Sequence, residues 1–310
     1  MGRFRHQSAL VIIALGLAGV VTLAQSTFKV DVKLVRLLVS VKDARGELVG
    51  SLEKPNFTVF DSGVKQEVAV FEHHTEVPLS VALMIDTSGS TATNLRYETT
   101  SLEKFLRALL REGNPDDTAA LYAFNDQVTR LNSFTRREQR LLDSFKELRG
   151  SAGTSLYDAV HLASRDLNTR EGRHVIVAVT DGGDTTSVKK YAEAFESAQN
   201  ADAIIYPILV VPITNDAGRN LGGERALETL ATGTGGRVFQ PMGASELDEA
   251  FTQILRDLRT QYLVAYYPRN LPADAPRFHK VQVELSPKDL RATTRTGYYG
   301  DAQLTGKAAR

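Results

Sequence analysis

The chain has 310 residues, with 37 basic and 37 acidic side chains and no cysteine. That length accommodates about two domains, and the charge balance lacks the basic footprint of a nucleic-acid-binding protein. The missing thiols exclude disulfides, thiol catalysis, thiolate metal sites and a lipid-modified cysteine.

The first 24 residues read as a processing signal. Met1-Gly-Arg3-Phe-Arg5-His is basic, residues 9–23 are apolar, and Thr22-Leu23-Ala24 offers small side chains where a signal peptidase reads. The apolar stretch falls short of the roughly 20 residues that span a bilayer. The expectation is an exported bacterial chain, secreted or periplasmic, that meets a membrane only if this segment stays uncleaved. Export without cysteines leaves stability to core packing.

Residues 26–78 form a β-rich flank. Residues 28–41 alternate apolar and polar for much of their length, Asp43-Ala-Arg-Gly46 is a turn, and Phe57-Thr-Val-Phe60 and Val68-Ala-Val-Phe71 flank Asp61-Ser-Gly63, a turn of hairpin type. The pattern changes at residue 79. Strands are predicted at 81–85, 119–124, 175–179, 204–211 and 236–239, and helices at 102–110, 139–148, 156–167, 188–201, 224–231 and 246–258. Such alternation over 79–261 implies an α/β fold, a doubly wound and mostly parallel sheet with helices on both faces. Residues 128–134 follow the preceding strand too closely for a crossover helix, so they are expected as an antiparallel edge strand. Strand character returns in 262–300, at 262–267, 279–285 and 291–299, ahead of a tail at 301–310. Both flanks are expected to pair into one smaller β domain, with the α/β domain inserted and its acidic strand ends facing away.

Val81-Ala-Leu-Met-Ile-Asp86-Thr-Ser88-Gly-Ser90 is a buried-strand pattern ending in an acid and small hydroxyls. Val175-Ile-Val-Ala-Val-Thr180-Asp181 ends likewise, and Gly153-Thr154-Ser155 opens a helix. Open parallel sheets bind ligands beyond the carboxyl ends of their strands, where the strand order reverses. If the two strands are neighbours there, two carboxylates and three hydroxyls converge. Hard divalent cations prefer such oxygen sets, Mg²⁺ taking about six oxygens at roughly 2.0–2.1 Å.

Asp86-x-Ser88-x-Ser90, with Thr154 and Asp181 downstream, resembles the metal-ion-dependent adhesion site of von Willebrand factor type A domains. Ala123-Phe-Asn-Asp126 and Gly153-Thr-Ser-Leu-Tyr-Asp-Ala159 add to the likeness. The flanks, through Val35-Arg-Leu-Leu-Val-Ser-Val-Lys-Asp, Phe57-Thr-Val-Phe-Asp-Ser-Gly and Arg295-Thr-Gly-Tyr-Tyr, resemble exported bacterial proteins with such a domain, notably from acidobacteria. The resemblance implies that Ser88 and Ser90 ligate Mg²⁺ or Mn²⁺ through their hydroxyls. It also implies that Thr154 binds directly or through water, and that Asp86 and Asp181 hold coordinated waters or ligate. One position would stay open for an acidic side chain of a partner protein.

The resulting expectation is a cation-dependent protein-binding or adhesion module without enzymatic activity. The alternative is a metal-independent structural or interaction protein of the envelope with a degenerate site. Ser155 and Asp184 read as helix caps and turn formers. Asp86-Thr-Ser-Gly differs by one residue from an aspartic-protease Asp-Thr-Gly and has no second copy. The sequence holds no nucleophile elbow, phosphate loop or dinucleotide fingerprint. His73 and His74, adjacent on a strand, point to opposite faces and are read as surface side chains.

Overall fold

The structure, a computed structural model, describes residues 34–73, 77–89, 95–210, 220–272 and 276–300. The expected signal segment, His74, Ser90 and the tail from 301 lie outside those residues.

Four strands open the described chain: β1 (Val35–Lys42), β2 (Phe57–Asp61), β3 (Val64–Gln66) and β4 (Val68–Glu72). The α/β body follows as β5 (Leu79–Asp86), α1 (Leu95–Glu112), β6 (Thr118–Phe124), β7 (Val128–Thr135), α2 (Glu138–Ser144), α3 (Leu156–Leu167), β8 (Arg173–Thr180), α4 (Tyr191–Asn200), β9 (Ala203–Leu209), α5 (Leu221–Thr234) and α6 (Ala244–Arg259). The chain then returns to strands β10 (Tyr262–Tyr266), β11 (Phe278–Leu285), β12 (Arg291–Thr293) and β13 (Gly297–Tyr299).

The central sheet runs β7-β6-β5-β8-β9. β5 is parallel to β6 on one side and to β8 on the other, and β7 is the antiparallel edge expected from its short connection. Every residue of β5 and β8 is buried, because helices cover both faces of a parallel sheet. Alternation along β5 divides the core in two. Val81, Leu83 and Ile85 pack with Leu102, Phe105 and Leu109 of α1 and with Phe251 and Ile254 of α6. Ala82 and Met84 face Leu156, Ala159 and Val160 of α3, Ala194 of α4 and Leu227 of α5.

The flanks build two antiparallel sheets, β12-β1-β10-β4 and β13-β11-β2-β3, each mixing strands from both ends of the chain. Their inward residues form one core. Leu37, Val39, Tyr262 and Val264 come from the first sheet, and Phe57, Val59 and Val281 from the second. This sandwich meets the inserted body at the end remote from the acidic strand ends. There Thr296 N–H donates to Gly233 O at 3.0 Å in the last turn of α5, Arg295 pairs with Asp202 at 2.5 Å before β9, and Lys42 reaches Asp257 at the close of α6.

Four elements differ from the sequence pattern. The helix expected over 139–148 ends at Ser144 and tightens into a 3₁₀ turn, Phe145–Glu147, which still delivers Phe145 and Leu148 to the core. The helix expected from 188 begins at Tyr191, since the N–H groups of Val188 and Lys189 donate to the Asp158 carboxylate at 2.9 and 2.8 Å. The stretch 291–299 divides between the sheets: β12 pairs with β1, and β13 with β11. The strand expected at 236–239 is reduced to one parallel bridge between Ile208 and Phe239.

Candidate functional site

Asp86 ends β5 and Asp181 follows the last residue of β8. These neighbouring parallel strands send their connections to opposite sides of the sheet, so the two acids lie at the switch point. Asp86 is 1% exposed. Its Oδ1 accepts the Ser88 N–H at 2.8 Å, and its Oδ2 accepts the Thr180 hydroxyl at 2.6 Å. Burial pushes this carboxyl up to about 6, against the pull of those two hydrogen bonds, and the Asp181 charge adds to the rise.

Three loops are stitched together around this point. Ser88 is buried and bridges Ser151, while Ser151 N–H donates to Thr87 O at 3.1 Å. Asn125, in the loop after β6, donates from its side-chain amide to Thr87 Oγ1 at 3.1 Å and to Arg149 O at 3.3 Å; its backbone carbonyl accepts the Ser155 N–H at 2.6 Å. Thr154, also buried, donates its N–H to Thr185 Oγ1 at 2.9 Å and accepts from Thr185 N–H at 2.8 Å. The loop that follows Asp181 is thereby fixed to the start of α3. Asp86, Ser88, Thr154 and Asp181 thus share one crevice mouth, with Asp181 the more exposed of the two acids.

Of the two residues read as caps, Asp184 caps α3, whereas Ser155 stands at the N-cap position without a side-chain cap bond and ties loops together instead. Ser155 Oγ pairs with Thr186 Oγ1 at 2.9 Å, and Asp184 accepts the Tyr157 N–H at the N-terminus of α3 at 3.1 Å. His73 packs its ring against Phe71 and Tyr262 and lies 3.6 Å from Glu53.

Two residues at the crevice escaped the sequence reading. Thr180 precedes the acid that the motif names, and its hydroxyl is visible as a donor only once β5 and β8 are paired. Glu98, in the first turn of α1, is 1% exposed, and among the described residues neither of its oxygens has a hydrogen-bond partner. Burial, followed by the charges of Asp86 and Asp181, pushes it up to about 8. A signal existed: Glu98 shares a helical stripe with Leu102, Phe105 and Leu109, all buried, where an acid is out of place.

A bound divalent cation fits this chemistry. The donors are hydroxyls and carboxylates at strand ends and at the start of α3, an all-oxygen set that suits a hard cation. Among the described residues no group of three or more His, Cys, Asp or Glu side chains is arranged to hold a metal ion by itself. Any ion here would depend on the serine and threonine hydroxyls.

Residues 81–183 match the family model described as the von Willebrand factor type A domain, and the match spans both acidic strand ends and Thr154. The chain contains a von Willebrand factor type A domain. No curated protein sequence is significantly similar to it. Among solved structures, the von Willebrand factor domain of the type V pili tip protein Mfa5 from Porphyromonas gingivalis is 16% identical, with 58% of this chain and 94% of that chain covered and a TM-score of 0.48. The conserved hypothetical protein BatB from Bacteroides thetaiotaomicron is also 16% identical, over 58% and 98%, with a TM-score of 0.47. The PilB minor pilin from Streptococcus sanguinis is 12% identical over 60% and 62%, with a TM-score of 0.47. Identities this low fix no function; the von Willebrand domain is assigned on its sequence match.

Proposed function

We propose that this protein is a cation-dependent protein-binding module that captures an acidic side chain of a partner. The reading is supported above all by the convergence of Asp86, Ser88, Thr154 and Asp181 at one sheet switch point, within a family of protein-interaction domains. Ser88, Ser90 and Thr154 would supply neutral hydroxyl ligands, and Asp86 and Asp181 would hold coordinated water or ligate. When bound, Mg²⁺ or Mn²⁺ supplies a positive charge that two acids leave open to an incoming carboxylate. Thr180 keeps Asp86 oriented, and Asn125 keeps the Ser88 and Thr154 loops in register. Nothing in this arrangement calls for turnover, and the module is read as non-enzymatic. The basic start with Arg3 and Arg5 and the apolar segment at 9–23 support export to the cell envelope; among the described residues no helix is long and apolar enough to cross a membrane.

A titration of the full chain with Mn²⁺, followed by loss of the free-ion electron paramagnetic resonance signal, tests the proposal. One saturable site, competed by Mg²⁺ and absent in Asp86→Ala, is expected. No saturation at millimolar Mn²⁺ would instead favour a metal-independent interaction protein. The specific observation behind that second reading is that both Asp86 oxygens already accept hydrogen bonds from within the chain.

A further inference from the structure

Where the sandwich meets the inserted body, remote from the acidic strand ends, the two leave a cavity of about 40 Å³ between them. That is room for roughly three water molecules, or for one small oxyanion. Its wall is drawn from distant parts of the chain. Arg36 comes from β1, Thr294 and Arg295 from the link between β12 and β13, Arg173 from the start of β8, and Gln199 and Asp202 from the end of α4 and the turn before β9. Three guanidinium groups therefore share one small space. Arg173 is 5% exposed, and its Nε and Nη1 donate to two neutral acceptors, Val77 O and Leu258 O. Burial pulls it down to about 10 in spite of the charge of Asp117, as befits a cation short of compensation. Arg295 is 8% exposed; its Nη1 pairs with Asp202 at 2.5 Å, and its Nε has no partner among the described residues. Arg36 makes no hydrogen bond or ion pair among the described residues. Thr294 Oγ1 and Gln199 Oε1 are likewise buried there without a partner. Water would satisfy the hydroxyl and the amide. Three guanidinium groups beside one carboxylate, itself already paired, call for an anion.

We propose that this cavity is a binding site for a small inorganic oxyanion, hydrogen phosphate fitting it best, which bridges the sandwich to the inserted body. Arg36 and Arg295 approach it from the sandwich and Arg173 from the body. Planar guanidinium groups suit the oxygens of such an ion, and the Thr294 hydroxyl adds a further donor. Gln199 supplies the reason for preferring phosphate. Its Nε2 donates to Gly233 O at 2.7 Å, so Oε1 is left as an acceptor, and hydrogen phosphate carries a proton to donate to it. The volume suits the free ion and leaves no space for the organic part of an ester. An ion held here ties both ends of the chain to the α4–β9 turn, and this inference is independent of the cation-binding reading.

The test is calorimetric titration of the full chain with inorganic phosphate at constant ionic strength, chloride being the exchanged anion, with thermal melts alongside. Wild type should show one saturable site and a melting temperature that rises with phosphate. Arg36→Gln should bind at least about tenfold more weakly and Thr294→Val about fivefold, with the phosphate-dependent rise reduced in both. Arg45→Gln, which removes an exposed arginine outside the cavity, should bind as wild type does. Glycerol phosphate should bind at least about tenfold more weakly than phosphate; equal affinity for the ester would overturn the buried location. No saturable heat at millimolar phosphate would mean that the cavity holds water only, and would overturn the proposal. So would wild-type affinity in Arg36→Gln, or an equal loss in Arg45→Gln. If Arg36→Gln fails to fold, Thr294→Val decides: unchanged affinity overturns the site.

Discussion

Asp86 is held from both sides, by a backbone N–H two residues on and by the hydroxyl of Thr180 from the neighbouring strand. Only the first of these is local. Thr180→Val keeps the shape and removes the donor, so it should cost about 1 kcal/mol in stability. It should also weaken Mn²⁺ binding about tenfold, because the acid loses its orientation; denaturant unfolding and the spin titration measure the two effects separately. The buried acids also set a pH dependence. Asp86 rises from 3.8 to about 6 and Glu98 from 4.5 to about 8. Both are protonated at low pH, folded or unfolded, and above about pH 8 the folded state bears two desolvated charges. In chelator, stability should therefore fall as pH rises from about 4 to about 8, with the upper part of the fall assigned to Glu98. Urea unfolding at pH 6 and pH 8.5 checks this: the difference should shrink in Glu98→Gln, and an equal difference in both proteins would refute the assignment. The acid-terminated strands that end in Asp86 and lead into Asp181 were legible because a buried apolar run that stops at an acid is a local pattern. Thr180 was not, since its role depends on which strand lies beside β5.

Among elements, the start of α5 bears most directly on the site. Gly223, in its first turn, lies so close to the loop after Asp181 that a Cβ there would sit 1.5 Å from Gly182 O. Gly182 has φ +100°, which side chains rarely adopt, so the loop has little freedom to yield. Gly223→Ala should force this loop away from β5 and lower Mn²⁺ affinity, while α5 itself gains helix propensity. Circular dichroism and the spin titration together test this; full affinity in the variant would show that the loop position is not critical. The segment 187–190 shows why sequence periodicity misjudged one boundary. Its apolar and polar spacing continues the helical pattern, but the Asp158 carboxylate captures the N–H groups of Val188 and Lys189. That long-range cap starts α4 three residues later than expected and leaves Val188 exposed.

At the scale of the molecule, the sandwich closes only when both ends of the chain are present. β1 lies between β10 and β12, and β2 pairs with β11, so each N-terminal strand depends on residues beyond 261. The buried Asp61 carboxylate ties the halves further, accepting the Tyr266 hydroxyl at 2.9 Å and the Tyr298 hydroxyl at 2.7 Å. Burial and this acid together hold both phenols well above their ordinary range. A chain ending at residue 261 should leave β1 to β4 open to proteolysis, while the inserted body keeps its Mn²⁺ site. Limited digestion with mass spectrometry, followed by the spin titration, measures both. Loss of the ion site on truncation would mean that sandwich and body are one cooperative unit.

The sequence by itself determined the alternation of strands and helices, the antiparallel place of β7, the inserted arrangement and the acid-terminated strands. These are properties of local periodicity, connection length and residue chemistry, which neighbouring residues carry between them. The tertiary structure alone decided that Arg291–Thr293 and Gly297–Tyr299 part company into different sheets, that Thr180 serves Asp86, and that Glu98 turns its carboxylate inward. Each depends on a surface far away in the chain: an open sheet edge, a neighbouring strand, a pair of buried acids. An acid on the core stripe of a helix is ambiguous in one dimension, and only the folded chain brings the charges of Asp86 and Asp181 to bear on it.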